Sequence, residues 1–285
     1  MKLSNEDEKF LQTYSSEIYE KPSLTVDAVV LRLFDKEEDN YRKLPEKKLQ
    51  VFLSERKNSP FKNTFAIVGS FINLENELSD SVRKCVKDKI DLKSYYLEQL
   101  YTFGETSRDP RTRVVSVSYL LLTNKQQNLK NGEWFDIELT KRSTSLKNNH
   151  FVANYDLILK NDNLTLTNEI EVDFDAENNI NPKKITLKNS SLAFDHAKII
   201  FYALMRLRNK LDYTDIIFNL LPEKFTLTEL KKSYEVILNE KLLDANFRRK
   251  TSSKVKPTDE FTKEKGHRPS QIFVKNNNRS VVDLD

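Results

Sequence analysis

"YLEQLYTFGETSRDPRTRVVSVSYLLL" (residues 96–122) sets two runs of aromatic, aliphatic and β-branched residues on either side of a short charged loop, "TSRDPRT". The runs at 95–105 and 113–123 read as strands, and the Asp109–Pro110 step marks the turn between them. Three arginines, Arg108, Arg111 and Arg113, crowd this loop. An arginine fork grips phosphates or sugar hydroxyls in a fixed geometry that lysine does not match. The same residues also fit a structural loop in which Asp109 pairs with Arg111 or Arg113. The residues alone leave both readings open.

Towards the N-terminus, "SLTVDAVVLRLF" (23–34) and "LQVFLSERK" (49–57) read as two strands of a hairpin around the polar loop 35–48. "NSPFKNTFAIVGSF" (58–71) gives a Pro-marked turn and a short strand, and "NELSDSVRKCVKDKI" (76–90) has helical apolar spacing. The segment 131–191 offers short alternating runs between Asn/Asp-rich turns, expected to be surface strands. After it the composition changes. "SLAFDHAKIIFYALMRLRNKL" (191–211) is a helix with an Asp at its start, and Thr226 or Thr228 caps a second helix within 225–238. "NFRRKTSSKV" (246–255) is a basic helix, and 256–277 reads as two strands around a Lys/Gly turn. Helix, helix, turn, basic helix and hairpin is the order of a winged helix-turn-helix. The boundary is expected near 190, with one domain over 1–190 and a second over 191–285.

The composition agrees with two folded units. The chain has 285 residues, 38% hydrophobic and 32% charged, with 4 Gly and 8 Pro, which excludes fibrous and disordered classes. The lone Cys85 excludes an internal disulfide and fits a reducing, cytoplasmic setting. No apolar run approaches the ~20 residues that cross a bilayer, and the acidic start, "MKLSNEDEKF", is not a signal peptide. Net charge is +4, but its distribution is uneven. From Lys241 to Arg279 eleven basic residues face four acidic ones, a net of +7, so the remainder carries −3. A basic C-terminal quarter points to a polyanion-binding module, against a solvated charged tail.

The stretches 96–122, 193–214, 218–238 and 246–250 occur in an order that resembles the two-domain Nudix-related transcriptional regulators of NAD metabolism. The resemblance implies an α+β chain: a Nudix-like α/β/α sandwich with a mixed sheet, followed by a winged helix-turn-helix. It also implies that the arginine loop belongs to a site for ADP-ribose or a related nucleotide, with Arg56, Arg108, Asp109, Arg111 and Arg113 as its ligand-binding residues. Phe61 and Phe65 are candidates for the same lining or for ordinary packing.

A working Nudix box resembles a glycine, a loop glutamate, then a helix carrying Arg and three Glu. Mg²⁺ needs such hard oxygen ligands while it polarises a pyrophosphate and activates water. Laid on "GSFINLENELSDSVRKCVKDKIDL" (69–92), this frame starts from Gly69 and puts Ser70 at the second loop glycine and Asn76 at the loop glutamate. Lys84 takes the arginine position, Cys85 that of the first helix glutamate, and Asp88 and Lys89 those of the metal-binding pair. Lysines there repel a divalent cation. The box therefore reads as degenerate, with no catalytic residue, no metal and no cofactor expected. At helical spacing with Leu78 and Val82, Cys85 fits a small core residue better than a nucleophile.

In the basic quarter, Asn246, Arg248, Arg249 and Lys250 offer groove donors and phosphate contacts, with Thr251 and Lys254 beside them and Arg268 on the hairpin as a wing. The expected protein is a cytoplasmic homodimer that binds operator DNA and answers to ADP-ribose or a related nucleotide, most simply as a repressor, with no membrane partner. Two alternatives accompany this expectation: a hydrolase of ADP-ribose-like pyrophosphates that uses Mg²⁺, and a sugar-responsive regulator on the same scaffold.

Overall fold

The structure is a computed structural model that describes residues 3–36, 45–125, 128–147, 150–175, 182–262 and 269–277. It opens with helix α1 (Asn5–Thr13), closed at its start by a reciprocal capping box between Ser4 and Asp7. None of the α1 side chains is buried.

Strand β1 (Ser23–Lys36) is the spine of the first unit. Its antiparallel partners are β2 (Glu46–Glu55), which also carries the short β3 (Phe65–Ala66), and β4 (Val68–Phe71). Helix α2 (Leu78–Lys89) and the short β5 (Ile90–Asp91) follow. Strand β6 (Tyr96–Phe103) then runs antiparallel to β7 (Val114–Thr123), and β7 lies parallel to β1, with Ser23 opposite Val114. Residues 26–31 of β1 are buried without interruption, the mark of a strand covered on both faces. Val26, Ala28 and Val30 pack with Val82, Cys85 and Val86 of α2. Val29 and Leu31 turn to the other face, where helix α3 (His196–Tyr213) contributes Ile200, Leu204 and Leu207. Helix, mixed sheet and helix form an α/β/α sandwich.

The segment 131–191 differs from expectation. After β8 (Asn128–Leu129), which pairs with β5, come β9 (Glu133–Lys147), β10 (His150–Lys160), β11 (Thr165–Asp175) and β12 (Pro182–Ser190). They form a meander that widens the sheet to the order β12-β11-β10-β9-β2-β1-β7-β6. Leu139, Leu157, Ile170, Val172 and Ile185 are buried in the α3-side core. The opposite face of these strands carries charged pairs, Lys160 with Glu138, Arg142 with Asp156 and Glu169, and Lys188 with Glu171, and this dilutes the apolar signal of the sequence.

The second unit holds β13 (Lys224–Thr226), α4 (Leu227–Leu238), α5 (Asp244–Thr251), β14 (Val255–Phe261) and β15 (Gln271–Lys275), with its sheet ordered β13-β15-β14. Thr226 caps α4 and Glu229 reaches back to the Thr226 amide. Asn239 ends α4 in the left-handed conformation at φ 59°, which Asn tolerates better than most residues. The basic helix starts two residues earlier than the sequence implied and stops at Thr251. α3, the first helix after residue 190, packs on β1, β6 and β12 as one outer layer of the sandwich and also on α4 of the second unit. Apolar spacing alone identified the helix but not the surface it covers.

Candidate functional site

Where β1 passes between β4 and β7, a carboxylate interrupts the apolar run: Asp27 is buried at 5% exposure. Gly69 lies across from it, and a Cβ there would sit 2.1 Å from Asp27 Oδ1, so only glycine lets the strands close. A buried carboxylate requires partners. The Ser116 hydroxyl donates to Asp27 Oδ2, Arg108 Nη2 lies 3.5 Å from the same oxygen, and His196 Nε2 lies 3.9 Å from Oδ1.

Arg108 is held chiefly elsewhere. Its Nε and Nη2 donate to the two oxygens of Asp195 at 2.9 and 2.8 Å, a bidentate pair inside the protein. Asp195 stands at the N-cap of α3 but makes no side-chain cap bond, because both of its oxygens face Arg108. Burial alone would lower the Arg108 pKa, but the Asp195 and Asp27 carboxylates outweigh it and hold it above the ordinary arginine value. Burial pushes His196 down, against the pull of Asp27 and Asp195, so its imidazole is neutral near pH 7. Among the described residues His196 Nδ1 has no hydrogen-bond partner.

Above this floor opens a cleft of about 230 Å³. Arg56, Arg108, Asp109 and Arg111, all expected in the ligand site, line it together with Phe71, Phe194 and His196. The Asp109 carboxylate accepts from the Arg111 backbone amide and from its guanidinium at 3.0 and 2.7 Å. Those bonds to Arg111 hold the Asp109 pKa below the usual carboxylate range. The ion-pair reading of the loop is therefore correct for Asp109 and Arg111, yet Arg111 keeps 42% of its side chain exposed and still faces the cleft. Its guanidinium lies 5.3 Å from the Phe71 ring centre and 5.6 Å from that of Phe194, and Arg56 lies 4.7 Å over Phe194. Burial, then the nearby Arg111 charge, lowers the Arg56 pKa. Two cations held this close over aromatic faces favour an anionic or planar guest.

One of the expected ligand residues takes another place, and a second is engaged inside the protein. Arg113 is exposed beside Gly104 and does not line the cleft, because it belongs to the outward phase of the entry to β7. Arg108 lines the cleft, but Asp195 engages its fork. Phe61 packs edge-on against Phe194, with ring centres 4.8 Å apart, and Phe65 packs against Phe135 in the core. The sequence reading missed Asp27, Phe71, Phe194 and Asp195 as site residues. Asp27 carried a usable signal, since a carboxylate within "TVDAVVL" breaks a run that otherwise reads as fully buried.

The degenerate box gives a poor nest for a hard divalent cation. Lys84 and Asp88 are exposed on α2, Lys89 is partly buried, and Asn76 sits in the turn before the helix. Cys85 faces the core, and burial pushes its thiol up to about 12, so it is neither a thiolate ligand nor an oxygen donor. Among the described residues no group of three or more His, Cys, Asp or Glu is disposed to hold a metal ion. Mg²⁺ does not fit these residues.

In the second unit, α5 turns Phe247 and Thr251 inward and leaves Asn246, Arg248, Arg249 and Lys250 exposed. Lys250 is ion-paired with Asp212 of α3. Two expected DNA contacts are corrected. Thr251 is buried, its hydroxyl donating to the Phe247 carbonyl at 2.9 Å. Lys254 is 3% exposed, and its ammonium donates to the carbonyls of Thr214 at 2.7 Å and Leu211 at 3.4 Å. A lysine next to a basic helix was read by its charge, whereas the carbonyls at the end of α3 bind it. Arg268 lies outside the described residues. Among the described residues no helix is long and apolar enough to cross a membrane.

Residues 217–274 match the family model of the NrtR DNA-binding winged helix domain. The chain is 29% identical over 277 residues to an ADPR-responsive transcriptional repressor, NtrR, of Acinetobacter baylyi, a match covering 94% of this chain and 87% of the relative. A solved MutT/nudix family protein from Enterococcus faecalis is 26% identical, with a TM-score of 0.63 over 97% of this chain and 100% of its own. The fold is shared with Shewanella oneidensis NrtR solved with a 27mer DNA, at 24% identity and a TM-score of 0.56 over 89% of this chain and 93% of that one. The chain thus joins a Nudix-fold unit to a winged helix that matches the NrtR family model.

Proposed function

We propose that this chain is a ligand-responsive DNA-binding repressor of NAD-related metabolism, acting as a cytoplasmic homodimer. Its first unit senses ADP-ribose or a related nucleotide, and its winged helix reads operator DNA through Arg248 and Arg249, with Asn246 and Lys250 beside them. The observation that carries this reading is one chain joining an NrtR-type winged helix to a Nudix-fold cleft whose approachable charges are arginines. Arg56 and Arg111, over Phe71 and Phe194, suit the phosphates and adenine of such a ligand. The likeness to an ADPR-responsive repressor over 94% of the chain supports the same ligand and the same sense of control.

The first unit binds this ligand without cleaving it. Lys84, Cys85 and Lys89 stand where a hydrolase of this fold needs carboxylates, and the Cys85 thiol is buried. The test combines calorimetric titration with ADP-ribose and an assay of AMP formation with Mg²⁺ and ADP-ribose. Binding without AMP is the expected result. Turnover of about 1 s⁻¹ or faster would replace this reading with the hydrolase.

A further inference from the structure

Helix α3 has one end in the ligand cleft and the other under the DNA-reading helix. At its start, Asp195 is gripped by Arg108 of the arginine loop at 2.8 and 2.9 Å, and one turn later Lys198 is ion-paired with Glu105 of the same loop. At its far end, three lysines of the second unit hold α3 and the residues that follow it. Lys254, just beyond α5, donates to the Leu211 and Thr214 carbonyls; Lys250 of α5 pairs with Asp212; Lys275 of β15 lies 3.7 Å from Asp215. Arg208 also donates from α3 to the Ile237 carbonyl at the end of α4, at 2.7 Å.

Between its ends α3 is stiff. It has 18 residues, about 27 Å at 1.5 Å per residue, with no Gly or Pro inside it and Ile199, Ile200, Leu204, Leu207 and Leu211 buried. Packed interiors move as rigid pieces between discrete arrangements rather than bending smoothly. A shift of the arginine loop therefore cannot be absorbed along the helix.

We propose that α3 is the coupling rod of this protein, transmitting occupancy of the cleft from Arg108 and Asp195 to the recognition helix through the Lys254 clip. Lys254 is then a positioning residue for DNA binding: it fixes the angle at which α5 is presented and touches no DNA itself. The ligand's part rests on the function proposed above, but the mechanical link does not.

Two arms separate the two ideas. The first uses the full chain alone, with backbone hydrogen exchange read by mass spectrometry. Asp195→Asn at one end is expected to speed exchange over residues 244–261, and Lys254→Met at the other to speed it over 104–113, each by about five-fold or more. Helix α2, on the opposite face of the sheet, stays unchanged. Exchange that rises only at the mutated end overturns the rod. Asp212→Asn, at an exposed position, replaces Lys254→Met should that variant fail to fold.

The second arm uses ADP-ribose and a duplex selected from random sequence by the purified chain. Linkage requires ligand and DNA to change each other's affinity by one common factor. Lys254→Met is expected to bring that factor close to one, whatever the affinity of the DNA-free chain for ADP-ribose. A factor equal to that of the unaltered chain overturns the rod. If the unaltered chain binds neither probe, the proposed function falls and the exchange experiment alone decides the rod.

Discussion

Arg56 lies with its guanidinium carbon 4.7 Å from the centre of the Phe194 ring, and Phe194 holds that ring from a left-handed backbone, φ 52°. A non-glycine residue in that region costs of order 1 kcal/mol or more, so the surrounding structure keeps this ring in place against its own backbone preference. Phe194→Gly relieves the backbone and deletes the ring. It is expected to leave thermal stability close to unchanged and to weaken ADP-ribose binding. An unchanged calorimetric affinity would show the ring to be packing alone.

Arg111 and Arg56 are the cations of the cleft with side chains open to a guest. Arg111→Ala is expected to weaken ADP-ribose by about ten-fold or more, the scale of a lost charge-assisted hydrogen bond. DNA affinity without ligand should hold. Arg113→Ala, outside the cleft, serves as the comparison and should do little. Equal losses in both variants would point to a general electrostatic effect.

On α5 the prediction separates sequence reading from charge. Arg248→Ala or Arg249→Ala should cost about 1–3 kcal/mol on the selected duplex and much less on scrambled DNA. Lys256→Ala, exposed on β14, should weaken both DNAs alike and lower the salt slope by about 0.9. A salt titration of each variant on both duplexes reads the difference. If the arginine variants behave like Lys256→Ala throughout, α5 is not the reading helix.

His196 sets a pH dependence of stability. Burial depresses its folded pKa below the ordinary 6.5, so below that pH the unfolded chain takes up a proton that the folded chain resists. Stability is therefore full above pH 6.5 and declines as pH falls from there towards the folded value, by at most about 1.4 kcal/mol per pH unit for one proton. Denaturant unfolding between pH 7.5 and 5 is expected to show this slope, and His196→Gln to flatten it. A slope of the same size in the variant would assign the effect elsewhere.

Cys85 should resist thiol reagents in the folded chain, since the thiol is buried and its pKa stands near 12. Reaction at the rate of global unfolding is the expected outcome. Fast labelling in native buffer would mean that α2 lifts from the sheet.

Strand order near the arginine loop, the α2 frame and the capped α4 were legible because each depends on local pattern: alternation, helical spacing, a Thr and a Glu three residues apart. The role of α3 was not legible. Its apolar positions state that it is covered, but the sheet that covers it includes β1, which begins at Ser23, far away in sequence. The internal partners of Arg108 and Lys254 were not legible for a related reason. A cation reads in sequence as something that seeks an external anion, while Asp195 and the carbonyls of Leu211 and Thr214 become its partners only through folding. The strands from 133 to 190 were underestimated because half of their residues face water and look like loop.

The floor of the cleft has an unequal charge count. Asp27 and Asp195 bring two negative charges, Arg108 one positive, and His196 none. At the mouth, Arg56 and Arg111 outnumber Asp109 by one. The cleft is thus a small dipole, negative end inward, with an unpartnered imidazole nitrogen at the base. An elongated guest with phosphates at one point and hydroxyl donors at another meets one favourable direction of entry and one unfavourable. Polarity of this kind selects among molecules of the same size and net charge by the order of their groups along their length.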